Sequence, residues 1–139
     1  MSAHKSTMSF KIGRGIILWI AITILLVSCG GTTPDPGDIV RQYYDAIEND
    51  DPDAAAALFA DSATIMTPSG NIVSGDSIKS QFIPYDLEFM DRVEILSDFI
   101  QSNGKVTWTQ EWHHIEGDSF LNNCEVTVED GKIVEWLFQ

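Results

Sequence analysis

Basic side chains and cysteine are both scarce in this chain, and each shortage excludes something. Eight Lys and Arg stand against 21 Asp and Glu, for a formal net charge of −13. So acidic a surface repels nucleic-acid phosphates and anionic lipid headgroups. That excludes nucleic acid as a partner and leaves a neutral or cationic one, or plain solubility and spacing from a negative membrane. Two cysteines, Cys29 and Cys124, are too few for a disulfide framework. There is one long apolar run, Ile16 to Val27, broken only by Thr23. It falls short of the roughly 20 apolar residues that a spanning helix needs. Internal repeats, a glycine-rich phosphate loop, the setting of a serine nucleophile and a Cys–His pair are all missing.

What is present begins with an address. Lys5, Lys11 and Arg14 precede the apolar run, and no acidic residue occurs before Asp35; Met8 is an alternative start that keeps two of the three charges. A basic stretch followed by a short apolar one has the form of a secretory signal. Leu26-Val27-Ser28-Cys29 resembles the bacterial lipobox. That resemblance implies cleavage after Ser28, lipidation of the Cys29 thiol and acylation of the new amino terminus, since several acyl chains anchor where one does not. The competing reading is an uncleaved membrane helix with an incidental cysteine. Gly30, where an Asp would favour retention in an inner membrane, points to the outer membrane of a two-membrane cell. The expected organisation is therefore a signal peptide over 1–28, a lipidated Cys29 and flexible tether over 29–37, and one domain over 38–139. The mature chain of 111 residues carries five basic and 21 acidic side chains, a net charge near −16. It suffices for one small domain. With Cys29 acylated, Cys124 has no disulfide partner and reads as a buried apolar filler.

The pattern then predicts helices followed by strands. Asp38 can cap a helix bearing Val40, Tyr43, Tyr44 and Ile47 at helical spacing. Asp51-Pro52-Asp53 starts a second helix running to Phe59, with proline in the first turn. Ala63 to Thr67 reads as a strand, Pro68 to Asn71 as a turn and Ile72-Val73 as a short return. Asp76 can cap a third helix over Ile78 to Ile83, halted by Pro84. Beyond it the period changes to two: Val93, Ile95 and Phe99, then Lys105 to Ile115, Phe120 to Val128 and Ile133 to Phe138. Asn103-Gly104 and Asp130-Gly131 mark the hairpins. This is an α+β plan in which a bent sheet wraps helices and leaves a cavity.

The stretches "VRQYYDAIENDDPDAAAALFADSATIMTPSGNIVSGDSIKSQF" and "CEVTVEDGKIVEWLF" resemble the SnoaL-like branch of the nuclear transport factor 2 (NTF2-like) superfamily. The resemblance covers Asp38 to Phe138. It implies a cone-shaped α+β fold, with three N-terminal helices packed in a strongly curved antiparallel sheet around a pocket, and dimers formed through the sheet. The family holds cyclases, isomerases and dehydratases beside members without chemistry. In its ketosteroid isomerases a carboxylate base works with a tyrosine and a protonated Asp. Tyr43 falls on the tyrosine, but the base position is Thr67 and the acid position is Cys124. A hydroxyl is too weak a base and a thiol too poor a donor, so that chemistry is not expected.

SnoaL-type cyclases use an acid–base Asp helped by His, a pair with no clear counterpart here. The nearest candidates are His113 and His114, which face opposite sides of a strand. His114 shares its side with Val106, Trp108, Gln110 and Trp112, and His113 with Thr107, Thr109 and Glu111. His114 is thus the expected polar group inside the pocket, with Tyr43 its catalytic companion; the alternative is a strand-end histidine without a role. Trp108, Trp112, Trp136 and Tyr43 can form an aromatic cage or serve as ordinary core. The pair of histidines with Glu111 suggests a metal, but adjacent strand residues diverge and no third ligand appears at a useful spacing, so neither metal nor cofactor is expected. The pocket candidates are Tyr43, Thr67, Trp108, Trp112, His114 and Cys124. The expected function is a lipoprotein of the cell envelope whose pocket binds a small apolar or aromatic ligand, or a protein partner, without chemistry. An acid–base enzyme using His114 and Tyr43 is the alternative.

Overall fold

The computed structural model describes residues 34–139. The basic leader, Cys29 and most of the tether lie outside the described residues. No helix among those described is long and apolar enough to cross a membrane.

Helix α1 (Pro36–Glu48) starts three residues before the expected place. Its cap is Asp35, whose Oδ1 accepts from the backbone N–H of Gly37 at 2.8 Å and of Asp38 at 3.3 Å. Pro36 explains the earlier start, because the first turn has no use for its missing N–H. Asp38 lies within that turn and pairs with Arg41 instead. One face of α1 is buried (Ile39, Val40, Tyr43, Tyr44, Ala46, Ile47), while Arg41, Gln42, Asp45 and Glu48 face water. Helix α2 (Pro52–Ala57) is capped by Asp51 as expected, at 2.9 Å to the N–H of Ala54. It stops before Phe59, which opens strand β1 (Phe59–Met66) by pairing with Ile133. A distant strand has overridden the alanine run's helical preference.

Strand β2 (Ile72–Ser74) returns along β1. The chain then forms a π-helical turn, Ile78–Phe82, that passes directly into α3 (Ile83–Phe89). Pro84 therefore does not halt the third helix. The N–H of Ile83 reaches back to the carbonyl of Ile78, five residues earlier, and the proline falls in the first turn of α3. The helix runs on to Phe89 and carries Asp86 with it.

Strands β3 (Met90–Ile95), β4 (Ile100–Ser102), β5 (Lys105–His114), β6 (Ser119–Glu129) and β7 (Lys132–Phe138) complete one curved, unclosed sheet in the order β2-β1-β7-β6-β5-β3, with β4 also on β5. Pairing is antiparallel throughout except between β1 and β7, which run parallel. Asn103-Gly104 and Asp130-Gly131 make the expected two-residue turns, all four residues at positive φ. Register shifts in β1, β3 and β6 bend the sheet around the helices. Trp136 on β7 is fully buried at the centre of the core. Its ring lies 5.0 Å from Tyr43, 5.3 Å from Phe138 and 6.0 Å from Trp108.

The β4–β5 turn supplies a test of this geometry. Gly104 sits at φ 77°, and a Cβ there would meet the Val128 carbonyl oxygen at 2.9 Å. Gly117 sits at φ 98° with open space around it. Gly104→Ala is expected to cost about 2–3 kcal/mol by denaturant titration, and Gly117→Ala about 1 kcal/mol, because only the first adds a backbone collision to the left-handed strain.

Candidate functional site

Between α1, α3 and the inner face of the sheet lies a cavity of about 1150 Å³. Six aromatic side chains line it, Tyr44, Phe82, Tyr85, Trp112, Phe120 and Phe138, among polar and aliphatic ones. Tyr85 stacks on Trp112 at 6.2 Å and 13°. The polar groups on the wall include Asp86, Asn122 and Thr67.

Asp86 is the chemical centre of this wall. It is 7 % exposed, and its Oδ2 accepts a 2.6 Å hydrogen bond from the Tyr43 hydroxyl. Loss of hydration pushes its carboxyl up to about 7, and the bond from Tyr43 offsets part of that rise. Burial, and then the charge of Asp86, hold the Tyr43 hydroxyl well above its ordinary range, so Tyr43 stays a proton-bearing donor. Beside this pair, the Oε1 of Gln110 accepts from the Tyr44 hydroxyl at 2.8 Å and from the Trp108 indole N–H at 2.7 Å. The amide nitrogen of Gln110 is buried without a partner among the described residues. Asp86 and Tyr44 face the cavity, while Tyr43, Gln110 and Trp108 brace them from behind. A carboxyl that changes charge near neutrality on the wall of a cavity can accept or donate a proton at a bound molecule.

The residues singled out in the sequence distribute unevenly around this site. Thr67 and Trp112 line the cavity. The Thr67 hydroxyl is engaged in its own turn, 3.0 Å from the Ser69 Oγ and bonded to the backbone of Asn71. Tyr43, Trp108 and Trp136 belong to the packed core, so of the expected cage only Trp112 meets the cavity. Cys124 is core as expected, and burial pushes its thiol up to about 12. His114 is not in the cavity wall and does not meet Tyr43. Its side of β5 was read correctly, but Phe89, at the end of α3, covers it at 5.5 Å and 17°. The backbone closes the same contact, with the N–H of Ile115 donating to the Phe89 carbonyl at 3.0 Å. His114 Nδ1 accepts from the N–H of Glu116 at 3.1 Å.

Asp86 was missed because Pro84 was taken as the end of the helix. Continued through the proline, the apolar face of Ile78, Phe82 and Ile83 passes directly over Asp86, three and four residues on. A lone acid on an apolar stripe was the available signal. Elsewhere, Glu94, Glu111 and His113 hold ligand-type atoms within 4.8 Å of one another. The third group that spacing along β5 did not offer comes from β3, where Glu94 pairs with Glu111 across the strands.

The raised carboxyl makes a stability prediction. Asp86 keeps its proton to a higher pH folded than unfolded, so the folded state gains from it at low pH and loses that gain as pH rises between about 4 and 7. Melting measured across this window should show the wild type falling relative to Asp86→Asn by a few kcal/mol in all, about 1.4 kcal/mol per pH unit. Parallel curves for the two proteins would contradict the buried, neutral carboxyl.

Comparison with known proteins agrees with this architecture. No curated protein gives a significant sequence match. Among solved structures, a Sinorhizobium meliloti protein provisionally described as a polyketide cyclase superposes with a TM-score of 0.64 at 23 % identity, covering 73 % of this chain and 94 % of its own. An NTF2-like protein of unknown function from Cytophaga hutchinsonii gives 0.64 at 14 % identity, over 78 % and 91 %. A Kribbella flavida protein provisionally described as a ketosteroid isomerase gives 0.60 at 13 % identity, over 74 % and 75 %. These similarities show a shared fold, the NTF2-like cone of helices in a curved sheet. The family model for the SnoaL-like domain matches residues 40–136, most of the chain, and the protein therefore belongs to the SnoaL-like domain family.

Proposed function

We propose that this domain is an acid–base pocket that takes a flat, largely apolar small molecule and exchanges a proton with it through Asp86. One observation carries the reading: a carboxyl brought to about 7 lines a cavity of about 1150 Å³ whose wall also carries six aromatic side chains. A base of that strength is half ionised near neutrality, where a general acid–base group does most work. Tyr43 bonds the ionised form and stays protonated itself, which sets Asp86 for proton removal and return without making Tyr43 a competing base. The aromatic wall favours a planar ligand. Chemistry of the isomerase, cyclase or dehydratase kind, in which a proton leaves carbon beside a carbonyl, fits such a site, and structural relatives provisionally described as a polyketide cyclase and a ketosteroid isomerase support it.

A second reading keeps the ligand and drops the turnover. Among the described residues, Asp86 is the only acidic side chain in the cavity wall. Thr67 and Cys124 stand where the isomerase resemblance would require a base and an acid. In that case the pocket binds and presents its ligand. For either reading the proposed location is the bacterial cell envelope, with Cys29 lipidated, the domain facing away from the cytoplasm, and the outer membrane favoured where there are two.

Deuterium exchange distinguishes the two. Polycyclic enolisable ketones incubated with the protein in heavy water should gain deuterium at the carbon beside the carbonyl, with a rate inflection near pH 7. Asp86→Asn should lower that rate by at least about a hundredfold. Tyr43→Phe should move the inflection upward, because the bond that stabilises the carboxylate is lost. Binding without exchange in the wild type would leave the second reading standing. For the address, radiolabelled palmitate should enter the wild type and not Cys29→Ser, and only the wild type should sediment with membranes; an unlabelled wild type would remove the anchor.

A further inference from the structure

We infer that Glu94, Glu111 and His113 form a site for a zinc-type divalent cation on the face of β5 opposite Trp108, Gln110 and Trp112. The Nε2 of His113 is buried and has no hydrogen-bond partner among the described residues. Carboxylate oxygens of Glu111 and Glu94 lie 3.8 and 3.9 Å from it. Those separations are too long for hydrogen bonds. They are slightly wider than the roughly 3.3 Å that zinc bonds of about 2.0–2.1 Å, set at tetrahedral angles, place between neighbouring ligand atoms. Closing on a cation takes small rotations of both the Glu94 and the Glu111 side chains.

The strand register builds the arrangement. Glu111 and His113 are two apart on β5 and share a face, and Glu94 is the cross-strand partner of Glu111. Arg92, the cross-strand partner of His113, could neutralise the two carboxylates, but its guanidinium goes to its neighbour Asp91 at 3.0 Å. The Ser119 hydroxyl donates to the other oxygen of Glu111, the kind of outer bond that orients a metal-binding carboxylate. One imidazole nitrogen and two carboxylates leave a fourth position open to water. That donor set suits zinc and its neighbours in the first transition row better than calcium or magnesium, which prefer oxygen alone.

Zinc chloride added to the full-length protein should raise its melting temperature and bind once per chain at this site in isothermal titration, with magnesium at equal ionic strength having no such effect. Glu94→Gln, an exposed and isosteric change that leaves the fold intact, and His113→Gln should each weaken that binding at least about tenfold. His114→Ala, two strand faces being distinct, should not. Zinc bound equally by the wild type and both ligand variants would be diffuse attraction to an acidic protein, or binding elsewhere in the chain, and would overturn the site. So would a wild type that does not respond to zinc.

Discussion

The bond from Tyr43 to Asp86 joins the first helix to the third and holds a carboxyl that is almost wholly buried. Burying an unpartnered carboxylate is costly, and a carboxyl answers that cost by keeping its proton. A single short hydrogen bond from a tyrosine that cannot itself ionise near neutrality moderates the shift without cancelling it. The result is an acid tuned to neutral pH by its surroundings. Everything functional in the pocket is arranged about this group.

The aromatic residues divide the labour. Trp136, Trp108, Tyr43 and Phe59 pack into one another at centroid distances between 5.0 and 6.2 Å and fill the core. Trp112, Tyr85, Phe120 and Phe138 stand farther out and leave the hollow between them. Neighbouring tyrosines on α1 illustrate the division: Tyr44 contributes to the cavity wall and Tyr43 supports it from within the core. Side chains four apart on one face of β5 behave similarly, with Trp108 in the core and Trp112 on the wall. The bend of the sheet separates them, and its bulges in β1, β3 and β6 set that bend.

Two sequence readings failed for one reason, that each treated a local signal as decisive. Pro84 does end helices when it falls in their interior, yet here a π turn places it in a first turn, where it is harmless. His114 does lie on the Trp-bearing side of its strand, yet the helix that Pro84 allowed to continue ends in Phe89, which covers it. The same helix thus supplied the acid and withdrew the histidine. The ligand-type trio on the outer face escaped a reading along β5 because one of its members comes from the neighbouring strand.

Hairpin turns, capping acids and the switch of period from helical to alternating were legible in the sequence because each depends on residues a few positions apart. Asn103-Gly104 and Asp130-Gly131 adopt positive φ wherever they occur in such a pattern, and Asp51-Pro52 opens a helix by local bonding alone. The α+β plan, the inward faces of β5 and β6 and the core role of Cys124 followed from the same short-range rules. Which polar group meets the cavity was decided by contacts across the chain: Tyr43 with Asp86, 43 residues apart, and Tyr44 with Gln110, 66 residues apart. Such pairs form only once the sheet has curved around the helices, and proton affinity at the site depends on that enclosure rather than on the residues nearest in sequence.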